Sequence, residues 1–101
     1  MEIRTTITAD THELLISGRI DGEGANKLEE EILKSIRAGA KTIYVNLSGA
    51  TFICSAGLRV LLQYWRQMKN SQRTLLATRP SAEVDAVLAT SGFREMIVEK
   101  I

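Results

Sequence analysis

The sequence has very little cysteine, histidine and proline, and its charges almost cancel. Among 101 residues there are one cysteine, one histidine and one proline, and 13 Lys and Arg stand against 12 Asp and Glu. A lone cysteine cannot form an internal disulfide, and together with one histidine it falls short of a zinc-ligand set. The net charge of +1 does not favour nucleic acid or an anionic membrane. We therefore expect no metal, no cofactor and no nucleic acid partner.

Long apolar segments are absent as well. The N-terminal residues carry no apolar signal core, and the longest apolar run is far shorter than the roughly 20 residues that span a bilayer. Together with the single cysteine, this predicts a cytoplasmic protein with no direct membrane insertion. A chain of 101 residues is long enough to bury a core of its own. Because no linker or low-complexity segment interrupts it, we expect one domain over residues 1–101.

In the first half of the chain, the apolar spacing changes from strand to helix and back. Residues rich in β-branched types predict strands at 2–8 and 14–20, with the single histidine, His12, as a solvated residue of the turn between them. Apolar residues three and four apart then predict an amphipathic helix over 25–36. A buried strand is predicted at 42–47. A strand, a helix and a strand in this order imply a parallel crossover.

The second half of the chain repeats this alternation. An amphipathic helix is predicted over 58–65, followed by a short buried strand at 75–77. Ser81 is a suitable cap for a third helix, Gly92 ends that helix, and residues 96–98 predict a last strand. The order ββ-α-β-α-β-α-β predicts an α/β fold. We expect a mixed sheet of four to five strands with three or more helices packed against it.

A turn of small residues connects the strand at 42–47 to the second helix, and Ser55 lies at its centre. A serine at this position ordinarily caps the helix, because its hydroxyl accepts a hydrogen bond from a first-turn amide. The position also suits a phosphate, since free amides and the helix dipole favour negative charge there. The small neighbours Ala56 and Gly57 leave the approach open. Both roles for Ser55 remain open on these local grounds.

Several catalytic motifs come close to this turn without fitting it. A nucleophile elbow requires glycine two residues before the serine, where Ile53 stands. In a cysteine phosphatase loop beginning at Cys54, the arginine would lie one residue further on than Arg59 does. No Gly-x-x-x-x-Gly-Lys-Ser/Thr phosphate loop is present. We expect no catalytic residues and no enzyme activity; a reactive thiol at Cys54 is less favoured than a small apolar residue closing the turn.

Residues 45–58 resemble the signature of STAS domains, specifically the anti-sigma-factor antagonists. In this signature a strand ending in Asp/Asn-Leu precedes a loop similar to Phe-Ile-Asp-Ser-Ser-Gly-Leu. The segments 18–21, 80–81 and 91–93 resemble further parts of the family pattern, so the likeness extends over nearly the whole chain. It implies a small mixed sheet with helices packed against it. It further implies that Ser55 is the phosphorylated serine.

The resemblance also implies a partner surface and a switch. The unmodified domain would bind an anti-sigma-factor serine kinase and free the sigma factor, the phosphorylated form would let go, and a serine phosphatase of the metal-dependent class would restore binding. Asp21 would lie beside the phosphorylated serine, and Gly57 and Leu58 would let the helix begin tightly behind it. The predicted partner-binding residues are Asp21, Cys54, Ser55, Ala56, Gly57, Leu58 and Arg59.

Two positions depart from the family pattern, because Cys54 replaces its aspartate and Ala56 replaces its second serine. The loss of the aspartate removes a charge that a kinase can recognise. An alternative therefore stays open. In it the chain is a constitutive STAS scaffold, or a subunit of a larger assembly of the stressosome or lipid-transport type, and Ser55 only caps the helix.

Overall fold

A computed structural model describes residues 1–98. In chain order the elements are β1 (Glu2–Thr8), β2 (Thr11–Ile20), α1 (Gly22–Arg37), β3 (Thr42–Ile53), α2 (Ser55–Asn70), β4 (Thr74–Thr78), α3 (Ala82–Ser91) and α4 (Arg94–Ile97). The strands lie side by side in the order β1-β2-β3-β4. β1 is antiparallel to β2, whereas β2, β3 and β4 are mutually parallel. The predicted single α/β domain with a mixed sheet is confirmed.

Helices α1 and α2 pack against the sheet and against each other. The predicted apolar stripe of α1 is buried, including Leu28 and Ile32, neither of which is exposed to solvent. On α2, Tyr64 is buried, and its hydroxyl donates a hydrogen bond to the Glu29 carboxylate at 2.7 Å. Burial first, and then this hydrogen bond and the charge of Glu29, raise the pKa of Tyr64 to about 12. This bond therefore ties the two helices together while the phenol keeps its proton.

Helix α3 begins and ends where the sequence predicted. The Ser81 hydroxyl accepts a hydrogen bond from the Val84 amide at 3.2 Å and donates one to the Ala50 carbonyl at 2.6 Å. The cap therefore also fastens the helix start to β3. At the other end, Gly92 has the left-handed φ of 80° that favours glycine after a helix.

The prediction of a solvated His12 is wrong. The turn between β1 and β2 is shorter than predicted, and His12 pairs with Ile7 on one side and Ile43 on the other. Its side chain is 4% exposed, and Nδ1 lies 2.8 Å from the Ser35 hydroxyl of α1. Pairing within the sheet and this buried polar contact place the residue in the core.

The predicted last strand at 96–98 is also wrong, except at its final residue. Residues Arg94–Ile97 form a short helix, and only Val98 pairs with the sheet, through a parallel bridge to Ala77. The Arg94 guanidinium donates to the Asp85 carboxylate of α3 at 2.6 Å, which holds the short helix against its neighbour. That carboxylate also raises the pKa of Arg94. The chain thus turns beside α3 before it reaches the sheet.

Candidate functional site

The candidate site lies where two parallel strands end and two helices begin. The Cys54 amide donates a hydrogen bond to the Ile20 carbonyl at 2.9 Å, which joins the carboxyl ends of β2 and β3. Asp21 follows β2 directly and precedes α1, and Cys54 occupies the same place between β3 and α2. The fold therefore brings together two predicted site residues that are far apart in the sequence.

Strand β3 is longer than predicted, and this corrects the expected turn. The strand continues past residue 47 to Ile53, so the segment of small residues is strand, and only Cys54 separates it from α2. Its pairing with β2 shifts twice; for example, Leu15 faces Asn46 whereas Ser17 faces Gly49. β3 thus holds extra residues as bulges, which bend a strand and are frequent next to functional sites. Pairing with β2 resumes after each shift, so the strand stays paired where a turn was expected.

Of the two roles left open for Ser55, the structure contradicts one, the cap of α2. Cys54 is the N-cap residue, with extended backbone angles of φ −86° and ψ 173°, and its side chain makes no capping hydrogen bond. Ser55 is the first helical residue and is exposed to solvent. The first turn of α2 contains no acidic residue. The Ser55 hydroxyl is therefore accessible, and no carboxylate occupies the first turn behind it.

Gly57 allows α2 to lie directly on the ends of the two strands. A β-carbon at this position would stand 2.8 Å from Ile20 Cγ2 and 2.9 Å from Ile53 Cγ1, both closer than real contacts. These isoleucines are almost completely buried, at 0% and 2% exposure. Glycine is thus required by the close approach of the helix, and this approach fixes where Ser55 stands.

The remaining predicted residues divide into exposed and packed ones. Asp21 and Arg59 are exposed, whereas Ala56 and Leu58 are half-buried and pack against the core. The Asp21 carboxylate is already used, because Oδ1 accepts the Gly24 amide at 2.8 Å as the cap of α1. Of the predicted partner-binding residues, Asp21, Ser55 and Arg59 are therefore the ones exposed to solvent.

Sequence reasoning missed one feature at this end of the sheet. The Arg19 guanidinium lies 4.2 Å from the centre of the Phe52 ring, on the neighbouring strand. The two residues are register partners between β2 and β3. A cation over an aromatic ring is held in place, and arginine and aromatic residues are frequent in protein interfaces. No local pattern reveals this pair, because the shifted register that aligns the two strands is a tertiary property.

Clusters of metal-ligand side chains and long apolar helices are both absent from the part of the chain that the structure describes. Within residues 1–98, no group of three or more His, Cys, Asp or Glu side chains is arranged to hold a metal ion. No helix in that range combines the length and apolar character needed to cross a membrane.

Comparisons with known proteins agree on one family. The family model described as Mlab, STAS domain, matches residues 3–99. The chain is 30% identical over 78 residues to BtrV of Bordetella bronchiseptica, a candidate anti-sigma factor antagonist, covering 77% of this chain and 67% of BtrV. It is 22% identical over 97 residues to the anti-sigma-B factor antagonist of Staphylococcus aureus, covering 96% and 90% of the two chains. The fold matches that of the anti-sigma factor antagonist SpoIIAA in its unphosphorylated form, with a TM-score of 0.83, 22% identity and coverage of 99% and 89%.

Proposed function

Since the chain belongs to the STAS domain family and is homologous to anti-sigma factor antagonists, we propose that it is a phosphorylation-switched binding module. Its partner is an anti-sigma-factor serine kinase of the cytoplasm, which it sequesters while Ser55 is unmodified, so that a sigma factor is free to direct transcription. A serine phosphatase of the metal-dependent class reverses the modification. The observation that carries the proposal is Ser55, exposed and without a capping role at the first position of α2.

The switch follows from charge and requires no change of fold. A phosphoserine carries about −1.5 to −2 charges and three strong acceptor oxygens. At the start of α2 this charge is compatible with the helix dipole, so the free domain tolerates it. A partner that contacts the start of α2 would, after modification, meet both the phosphate charge and its hydration shell. Repulsion and desolvation then favour release of the partner.

In this proposal the chain is not an enzyme, and the kinase supplies the chemistry. Ser55 only accepts the phosphoryl group, and the exposed residues Asp21 and Arg59 serve as contact residues for the partner. Cys54 favours a second function, because it replaces the aspartate of the family signature. In this second function the chain is a constitutive scaffold or subunit of a larger assembly, and Ser55 is never modified.

The test is phosphoryl transfer followed by binding. The chain is incubated with its cognate anti-sigma-factor kinase and Mg-ATP, and the product is mapped by mass spectrometry. We expect one phosphate, on Ser55. Ser55→Ala should bind the kinase as the unmodified chain does, whereas Ser55→Asp should bind at least about tenfold more weakly, because a misplaced charge at an interface is costly. Thr90→Asp, which adds the same charge at an exposed position of α3, is the matched control and should bind normally.

An unmodified Ser55 would support the second function, a constitutive scaffold or subunit of a larger assembly. If Ser55 stays unmodified and Ser55→Ala and Ser55→Asp bind the kinase equally well, the switch is wrong. Stable co-purification with a larger assembly, without any kinase, would then support the constitutive subunit.

A further inference from the structure

The two long helices differ in charge although the whole chain is nearly neutral. Helix α1 contains four glutamates together with three cationic residues. Helix α2 contains Arg59, Arg66 and Lys69 but no aspartate or glutamate. The surface that α2 presents to solvent is therefore basic, and this helix begins at Ser55.

Ser55 is the first residue of a row of side chains that runs along one face of α2. Residues three and four apart share a helix face, so the stripe continues through Arg59, Leu62 and Arg66 to Asn70. Leu62 is half-buried, and the other members are exposed. An open groove runs along this face, lined by Arg59, Leu62, Gln63, Arg66, Gln67 and Asn70. We call these six residues the α2 basic face.

The arginines of this face have no acidic partner within the described residues. The ion pairs found there involve other cations, namely Lys34, Lys41 and Arg94. An arginine carries five N–H donors in a fork that fits a carboxylate. Arg59 and Arg66 thus present two guanidinium groups on one face of α2, and neither is paired with a carboxylate among residues 1–98.

From this arrangement we infer that the α2 basic face is a binding surface for an acidic surface of the protein partner. The inference rests on the proposed function and extends the interface from Ser55 along the rest of α2. A protein fits better than a nucleic acid, because affinity for a phosphate backbone comes from many cations and here only two arginines frame the groove. The half-buried Leu62 and three amide side chains between and beside them are typical of a mixed protein interface.

This surface also gives the switch its direction. An acidic partner surface, attracted by Arg59 and Arg66, would meet a phosphate at the head of the same stripe. In addition, a phosphate on Ser55 stands four residues before Arg59, a spacing at which opposite charges on a helix attract. Phosphorylation would therefore repel the partner and also neutralise part of the charge that attracts it.

The experiment compares two double charge reversals. Arg59→Glu with Arg66→Glu changes the α2 basic face, and Lys34→Glu with Lys41→Glu makes the same net change at exposed positions elsewhere. The dissociation constant for the kinase used in the phosphorylation assay is measured at low and at high salt. We expect the first pair to weaken binding at least about tenfold at low salt, mainly through slower association, and the second pair to have little effect. The difference should shrink at high salt, because ions screen exposed charges.

Folding of each variant is checked by circular dichroism. The pair Arg59→Gln with Arg66→Gln is a milder change and should give an intermediate loss of binding.

Equal binding by the unchanged chain and by both double arginine variants would overturn the inference. If Ser55→Asp still releases the kinase in that case, the proposed function stands, and only the inference that the α2 basic face binds an acidic surface of the partner is wrong. Salt-sensitive binding of a short DNA duplex that is lost in Arg59→Glu with Arg66→Glu would also overturn it, in favour of a nucleic acid surface. If Ser55 is never phosphorylated but binding depends on both arginines, the α2 basic face is a binding surface and the proposed phosphorylation switch is wrong.

Discussion

The starts of α1 and α2 lie side by side at one end of the sheet, yet they are built differently. The start of α1 is capped, because the Asp21 carboxylate accepts the Gly24 amide at 2.8 Å. The start of α2 has Cys54 in the same backbone position, with no side-chain cap and an exposed serine after it. A cap ordinarily stabilises a helix by about 1 kcal/mol. The start of α2 therefore lacks the stabilisation that a side-chain cap gives the start of α1.

This difference indicates which start serves the fold and which is open to a partner. At α1, one carboxylate oxygen of Asp21 accepts the Gly24 amide as the helix cap, while the residue itself stays exposed. At α2, first-turn amides lack a side-chain acceptor from the cap residue, and the exposed stripe behind them is basic. The absence of a side chain at Gly57 lets this start of α2 pack closely on Ile20 and Ile53.

The largest expected effect comes from breaking that packing. Gly57→Ala places a β-carbon against two buried isoleucines whose branched side chains are stiff. Overpacking of this kind costs about 1–3 kcal/mol, of which the better helix propensity of alanine recovers up to about 1 kcal/mol. We expect a net loss of about 1–2 kcal/mol in the free energy of unfolding, measured by urea denaturation.

The matched control is Gly22→Ala at the start of α1. A β-carbon there meets nothing within 4 Å, so only the helix propensity changes. We expect a gain of about 0.5 kcal/mol or less, since the residue is at the helix end. Losses of the same size in both variants would show that the two starts are packed alike.

A second prediction concerns the bond that couples the two helices. Tyr64→Phe removes the hydrogen bond to Glu29 and should cost about 1 kcal/mol at neutral pH. The folded pKa of Tyr64 is about 12 against an ordinary value of 10.0, so the folded state holds this proton more tightly than the unfolded state. Its contribution is present below pH 10.0 and is lost as the pH rises towards about 12.

Unfolding in urea, repeated at neutral pH and at about pH 11, checks this sign, because the variant lacks the phenol that titrates. The difference in stability between the chain and Tyr64→Phe should shrink as the solution becomes alkaline. If the difference in stability grew with pH, the Tyr64 hydroxyl would not be stabilising the fold by donating a hydrogen bond to Glu29.

Much of the fold could be predicted from the sequence, because periodicity reports which face of an element is buried. The stripe of α1 and the Ser81 cap are local patterns, and both are present. What escaped prediction depends on distant contacts. His12 contacts Ser35, 23 residues away, in the core, and β3 continues to Ile53 because its pairing with β2 resumes after two register shifts. Neither effect leaves a signal in the residues nearby.

The candidate site shows the same division. The resemblance to the family pointed to Ser55 and Asp21, and the fold places their segments side by side. That no carboxylate among residues 1–98 pairs with Arg59 or Arg66 could not be predicted, since it depends on which side chains the fold brings within reach. Nor could the sequence show that Ser55 is the first helical residue instead of the cap. A shift of one residue at a helix boundary decides this, and periodicity does not resolve it.

The smallest expected effect comes from exchanging the cap chemistry of the two helix starts. Cys54→Asp places a carboxylate on an extended N-cap residue and should stabilise the chain by about 0.5–1 kcal/mol, whereas Asp21→Ala should cost about 1 kcal/mol. Cys54→Ala, which adds no acceptor, is the control and should leave stability nearly unchanged. Thermal unfolding measures all three. If Cys54→Asp brings no gain over Cys54→Ala, the amides at the start of α2 already have other partners, and the contrast between the two helix starts disappears.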